Sequence, residues 1–353
     1  MHPRRSSLLG ALLAATLLTG LLGACSSDAS TRAGADDKGP TTTAAPVTVP
    51  ETIPAGTKLR IGDQLDYLKT ILKLSGQDQD LPYDVEYASF VGGPPMLQAF
   101  KGGAIDSGFV ASTPLIFAQA AKQDIVAVAG WAADRGLGGL VTVDPSIKGW
   151  KDLKGKRVAY QRGTSAEAAV LTGLSEAGLK PSDITTVDVP ITQISAALQG
   201  GSADAGLSTE PLISLFLAGH PDAKVAAVPG DITDRGSFLI ASKDALADEG
   251  KTAALADYAS RLVKAFAWLK DHPDDLASGI FVKQYGLSPE RAKELVAQGN
   301  GSTKFFALPG DILKQQQKLA DLFVDAGQIP AKIDVSAEFD NRFNDLILAE
   351  QGK

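Results

Sequence analysis

Two short runs in this 353-residue chain carry residue types suited to binding a small anion. Ser112-Thr113-Pro114 follows an apolar, strand-like run and opens a helical one, with a hydroxyl expected at the cap and proline in the first turn. Such a helix start presents N–H groups without intrahelical acceptors and a partial positive charge, which suits a sulfonate, nitrate or carboxylate. The same hydroxyls also serve simply as caps, and the two roles coexist. Gly163-Thr164-Ser165 repeats the arrangement, with Gly163 permitting close approach and Arg162 beside it either solvated or in contact. Gln64-Leu65-Asp66 and Gly92-Gly93-Pro94 end strand-like runs, and Trp131 follows another that ends at Gly130. Trp131 either lines an apolar part of a pocket or packs under a loop. Arg135 pairs either with an anion or with its neighbour Asp134.

Reactive chemistry has fewer candidates. His220 and His272 each precede a proline in loop-like sequence, and no metal site can be assembled from them. Neither a Ser-His-acid set nor a phosphate-binding glycine loop is present, so an enzyme is not expected, and no metal or other cofactor. The net charge of −7, with acids and bases interspersed, argues against a nucleic-acid partner.

The elements that must position these residues alternate. Strand-like runs at 58–62, 84–87, 105–110 and 125–129 are separated by helical patterns at 66–73, 94–100 and 114–122, the grammar of a doubly wound, mostly parallel sheet. It restarts at Lys156-Arg157-Val158-Ala159-Tyr160, with helices at 165–177 and 194–199 and a strand at 186–189. Lys101-Gly102-Gly103-Ala104-Ile105-Asp106-Ser107-Gly108 reappears as Gln199-Gly200-Gly201-Ser202-Ala203-Asp204-Ala205-Gly206, which implies two similarly built α/β lobes. Counting on from the matched glycines sets Ser112-Thr113 opposite Glu210-Pro211. Glu210 then either binds a substrate amine or hydroxyl or holds the loops between lobes. Beyond 238–240 the apolar spacing becomes 3.6, with helices expected at 252–272, 274–285, 289–298, 310–326 and 336–351.

The N-terminus reads as an export signal over residues 1–24: Arg4 and Arg5, an apolar run from Leu8 to Leu22, then Leu22-Gly23-Ala24-Cys25. The last four residues resemble the lipobox of bacterial lipoproteins, whose cysteine is lipidated, and Cys25 is the one cysteine of the chain. Residues 25–56 are rich in Ser, Thr, Ala, Pro, Gly and Asp and are expected to form a flexible tether.

Met96-Leu97-Gln98-Ala99-Phe100 with Gly103-Ala104-Ile105-Asp106-Ser107-Gly108, then Ser112 to Ala120, Trp150 to Ala159 and Arg162-Gly163-Thr164-Ser165, resembles the substrate-binding components of ATP-driven transporters for sulfonates, taurine and nitrate. The resemblance implies a type II periplasmic-binding-protein fold: lobe 1 from 57–147 plus 238–353, lobe 2 from 148–237, and two crossovers. It also implies a ligand cleft between the lobes, bordered by Gln64, Gly93, Ser112, Thr113, Trp131, Gly163, Thr164, Ser165 and Glu210. The implied partners are a small anion (sulfonate, taurine or nitrate-like), a membrane permease and its ATPase. The protein is expected to be a monomer, lipid-anchored at Cys25 on the outer face of the cytoplasmic membrane or in the periplasm. The sulfonate branch typically has Asp-Pro preceded by Trp where this chain has Thr209-Glu210-Pro211, so taurine, nitrate, a heterocyclic precursor and ligand sensing without transport stay open as alternatives.

Overall fold

The computed structural model describes residues 48–133, 138–226, 236–299 and 303–352. The first segment runs β1 (Lys58–Gln64), α1 (Tyr67–Leu74), β2 (Asp84–Phe90), α2 (Gly93–Lys101), β3 (Ser107–Ala111), α3 (Ser112–Ala120) and β4 (Ile125–Ala133). The second runs β5 (Gly138–Thr142), β6 (Arg157–Tyr160), α4 (Ser165–Glu176), β7 (Thr185–Asp188), α5 (Ile194–Gln199), β8 (Ala205–Thr209), α6 (Leu212–Gly219) and β9 (Lys224–Val225). Then follow β10 (Gly236–Ser242), α7 (Lys243–Ala247), α8 (Glu249–Asp271), α9 (Pro273–Asp275), α10 (Pro289–Ala297), β11 (Thr303–Phe306), α11 (Ile312–Asp325) and α12 (Asn344–Gln351).

The strands form two sheets, ordered β11-β4-β10-β3-β1-β2 and β7-β6-β8-β5-β9. β1 runs parallel to β2 and β3, and β6 parallel to β7 and β8, while β10, β11 and β5 enter antiparallel. The expected α/β architecture is therefore present, with one difference in where the chain changes sheet. β5, placed by the sequence in the first lobe, pairs with β8 and β9 in the second sheet, so the crossing lies between β4 and β5. The return lies between β9 and β10, whose first residues, Gly236 and Ser237, already pair with β4.

The Arg-Asp-Gly bonds recur in both copies of the repeat, with Lys251 added at Asp106. Asp106 Oδ2 accepts from the backbone N–H and Nε of Arg60, and Arg60 Nη1 donates to the Gly103 carbonyl. Asp204 Oδ2 accepts from the backbone N–H and Nε of Arg157, and Arg157 Nη1 donates to the Gly201 carbonyl. Gly103 and Gly201 have φ of 64° and 65°, a left-handed turn that glycine adopts without cost. Each clamp ties the loop entering one strand to the strand beside it, so the two sheets present their carboxyl edges in the same way.

The first sheet is covered on both faces. Leu59 and Ile61 pack with α1 and α8, and Met96, Phe100, Ile105 and Val110 pack under α2 and α3. Two other expectations give way to tertiary contacts. Val49 and Ile53 pack against the first core, so the tether ends before residue 56. The helix expected over 336–351 is a 3₁₀ turn, Val335–Glu338, followed by α12; between them Phe339 bridges to Ala127 and the Asp340 N–H donates to the Ala127 carbonyl. The segment expected as a helix over 274–285 is α9 continued by a π-helix, Leu276–Gln284.

Glu338 is 1% exposed and is hydrogen-bonded by Gln316, whose Nε2 donates 2.9 Å to Glu338 Oε2 and 3.0 Å to the carbonyl of Ser112, the first residue of α3. Burial raises the pKa of Glu338 from 4.5 to about 8, against the opposing effect of the Gln316 bond. The folded chain thus holds a proton that the unfolded chain releases near pH 4.5, and stability falls as pH rises from there through about 8. Urea unfolding should give a free energy about 2–3 kcal/mol lower at pH 9 than at pH 6, at ~1.4 kcal/mol per pH unit. Glu338→Gln should remove most of that difference. Equal wild-type stability at both pH values would contradict the assignment.

Candidate binding site

Between the carboxyl edges of the two sheets lies a cavity of about 270 Å³. The first sheet and its helices contribute Gln64, Leu65, Val91, Gly92, Gly93 and Pro114, and the second contributes Gln161, Thr164, Ser165, Ile191, Ser208 and Leu212, among others. None of the described lining residues is an acid, a lysine, an arginine or a histidine. A charge that a ligand brings there meets only neutral groups among the described lining residues.

One set of dipoles at the cavity is the start of α4. Thr164 caps the helix with extended backbone, but its hydroxyl donates to the Gln161 carbonyl at 2.7 Å and makes no cap bond. Ser165 and Ala166 follow; both line the cavity, and their N–H groups precede the first helical hydrogen bonds, made by Glu167 and Ala168 to the Thr164 carbonyl. Gly163, at φ 70°, turns the chain into the helix, and its own N–H is taken by Glu167 Oε2 at 2.8 Å. Burial raises the pKa of Glu167, which the Gly163 N–H and Arg162 oppose.

The starts of α2 and α3 are built differently. α2 begins Gly93-Pro94-Pro95, and neither proline has an N–H to offer. Its Gly93 is required by packing, since a Cβ there would lie 2.3 Å from Pro114 Cγ. α3 is capped by Ala111 rather than by Ser112 or Thr113, because β3 runs through Ala111 directly into the helix. The cavity is lined by Ala111 and Pro114, while Ser112 and Thr113 are turned inward and fully buried, correcting the expectation that both border it. On β1, Gln64 Nε2 donates 2.8 Å to the Phe109 carbonyl, and Leu65 and Asp66 both adopt left-handed backbone, with φ of 55° and 56°. That conformation is costly for residues with side chains and is held here by bonds from Gln284 Nε2 to the Leu65 carbonyl and from the Leu65 N–H to the Phe90 carbonyl.

The structure thus brings together Gln64, Gly93, Thr164 and Ser165 of the residues expected at the site. Besides Ser112 and Thr113, it sets apart three others. Trp131 packs in an aromatic cluster with Phe109, Phe266 and Phe305, because full burial of β4 turns its ring into the first core. Gly163 shapes the loop without lining the cavity. Glu210 is occupied: Oε2 accepts from the Ser214 N–H and hydroxyl at the start of α6, and Oε1 pairs at 2.9 Å with Arg291 of α10. α10 packs on the first core, so this ion pair joins the second sheet's loop to the first sheet's helical layer. Arg162 is a surface residue 4.0 Å from Asp188, and Arg135 lies outside the described residues. Gln161, Ile191 and Ser208 were not singled out by the sequence, where nothing distinguishes them from ordinary loop and strand residues.

Comparison with known proteins agrees with this architecture. The family model described as NMT1/THI5 like matches residues 84–275. A putative aliphatic sulfonates-binding protein of Escherichia coli (strain K12) is 30% identical over 283 residues, 78% of this chain and 86% of the relative. One of the same description from Bacillus subtilis (strain 168) is 29% identical over 273 residues, 75% and 79% of the two chains. The solved alkanesulfonate-binding protein SsuA from Xanthomonas axonopodis pv. citri, bound to MOPS, superposes with a TM-score of 0.71 at 26% identity, over 81% of this chain and 99% of that one. With more than half its length matched and a two-sheet body built around an interlobe cavity, the chain belongs to the NMT1/THI5-like family of the periplasmic-binding-protein fold.

Proposed function

We propose that the protein is the solute-binding component of an ABC importer and that it captures a small organosulfonate in the cavity between its sheets. The observation that carries this reading is the lining: an uncapped helix start beside apolar Val91, Ala133, Ile191, Leu207 and Leu212, with no charged side chain among the described lining residues. A sulfonate spreads its charge over three oxygens and is matched by several neutral donors at once. The apolar walls accept a carbon tail, for which nitrate has no counterpart. Taurine would place its ammonium where no described carboxylate lines the cavity, Glu210 being paired with Arg291. Ligand bridging the two lobes favours the closed form, and a permease that recognises that form takes delivery. The names of the two curated relatives and of the MOPS-bound structure described above, each a sulfonate-binding protein, support the same reading.

Calorimetry against butanesulfonate, taurine and nitrate tests it. Butanesulfonate should bind at least tenfold tighter than taurine, with nitrate weakest. Taurine or nitrate binding as tightly as butanesulfonate, or no heat with any sulfonate, would overturn the assignment.

The reading extends to location: Cys25, which lies outside the described residues, anchors the chain by lipid to the outer face of the cytoplasmic membrane, and the body acts as a monomer. Cys25→Ser should move the protein from carbonate-washed membranes to the soluble fraction, still folded. Retention of the variant on washed membranes would refute the anchor.

A further inference from the structure

Resting on the sulfonate reading, we infer that Ser208 is a specificity-determining residue and that the preferred ligand carries a second hydrogen-bonding group on its tail, as in a hydroxyalkanesulfonate.

Ser208 is 7% exposed, and its Oγ is buried without a hydrogen-bond partner. Several other side-chain atoms share that state among the described residues, including those of Thr113, Glu167 and Gln284, but only Ser208 also lines the cavity. A buried hydroxyl with nothing to bind is destabilising, and such a group is retained when something outside the fold completes it. Here that something is the occupant of the cavity.

The strand geometry says which part of the occupant Ser208 meets. Successive side chains on β8 point to opposite faces of the sheet. Leu207 packs with Ala169, Val170 and Leu174, the face covered by α4. Ser208 takes the other face. Gly206, two residues earlier, would place a Cβ 2.5 Å from Ile194 of α5, and Gly139, paired directly with Ser208, would place one 3.0 Å from Ile213 of α6. A ligand whose anion sits at the start of α4 therefore turns its tail toward the face where Ser208 lies with Ile191 and Leu212. In that apolar setting a hydroxyl, which both donates and accepts, selects a tail with a polar atom and disfavours a plain alkyl chain that leaves it unpaired.

The test measures 2-hydroxyethanesulfonate against propanesulfonate, and 3-hydroxypropanesulfonate against butanesulfonate, on the wild type and on Ser208→Ala by calorimetry, with melting of the ligand-free proteins alongside. The wild type should prefer at least one hydroxylated member over its alkyl match by about five- to tenfold, the worth of one neutral hydrogen bond. Ser208→Ala should abolish that preference while keeping propane- and butanesulfonate affinity, and its melting temperature should be unchanged or higher, since the lost hydroxyl has no partner in the free fold. A wild type without the preference, or a variant that retains it, overturns the assignment while leaving the sulfonate reading intact. Failure of all four sulfonates to bind the wild type overturns both.

Discussion

An anion taken out of water must be met by donors, and the constraint that shapes this protein is that its cavity does so without a countercharge among the described lining residues. In the proposed reading the N–H groups that open α4 fill that role, because a helix cannot bond its own first donors. Their surroundings follow from the task. Gly163 turns the chain so that the helix starts at the cavity edge, and Glu167 takes the one N–H that points back into the loop, in a burial that favours its neutral form. Thr164 spends its hydroxyl on Gln161 instead of capping the helix, which leaves the first-turn donors without a side-chain cap. Neutral dipoles fixed in this way need little reorganisation when the ligand arrives, whereas a buried arginine would have to be desolvated first.

Both halves of the molecule are braced by the same device. The Arg60–Asp106 and Arg157–Asp204 clamps hold the loop before each inner strand, and they sit on the side of the sheets away from the carboxyl edges that line the cavity. The clamps lie within each half, and one ion pair among the described residues runs between the halves near the cavity. Glu210 and Arg291 form that pair: the carboxylate caps α6 within its own half and reaches across to α10 of the other. A partly exposed ion pair of this kind contributes modest stability.

Much of the architecture was legible because it depends on local grammar: alternating apolar runs, and a Gly-Gly-x-x-Asp repeat whose Arg-Asp-Gly bonds recur in both copies. The sites that were misread depend on partners distant in sequence or on a shift of one residue. Ser112 and Thr113 looked like cap and ligand donors, yet β3 continues through Ala111, so the helix begins one residue early and both hydroxyls turn inward. For Glu210 the sequence left open a ligand contact or a hold between lobes, and the pair that matches the second reading could not be seen there because Arg291 lies 81 residues on. β5 is five residues of Gly-Gly-Leu-Val-Thr, too short and too glycine-rich to declare itself, and it is a strand because β8 and β9 flank it. Ser208 carries no signal in sequence at all, since what marks it is the absence of a partner in the folded state.

The central claim, that backbone N–H groups at the start of α4 hold the anion, is tested most directly by amide NMR of the ¹⁵N-labelled protein titrated with butanesulfonate. Ser165 and Ala166 should show the largest downfield proton shifts and slowed exchange with solvent on binding, exceeding the changes at Gly93 and Met96 of α2. Saturation of the protein with Ser165 and Ala166 unmoved would contradict the account.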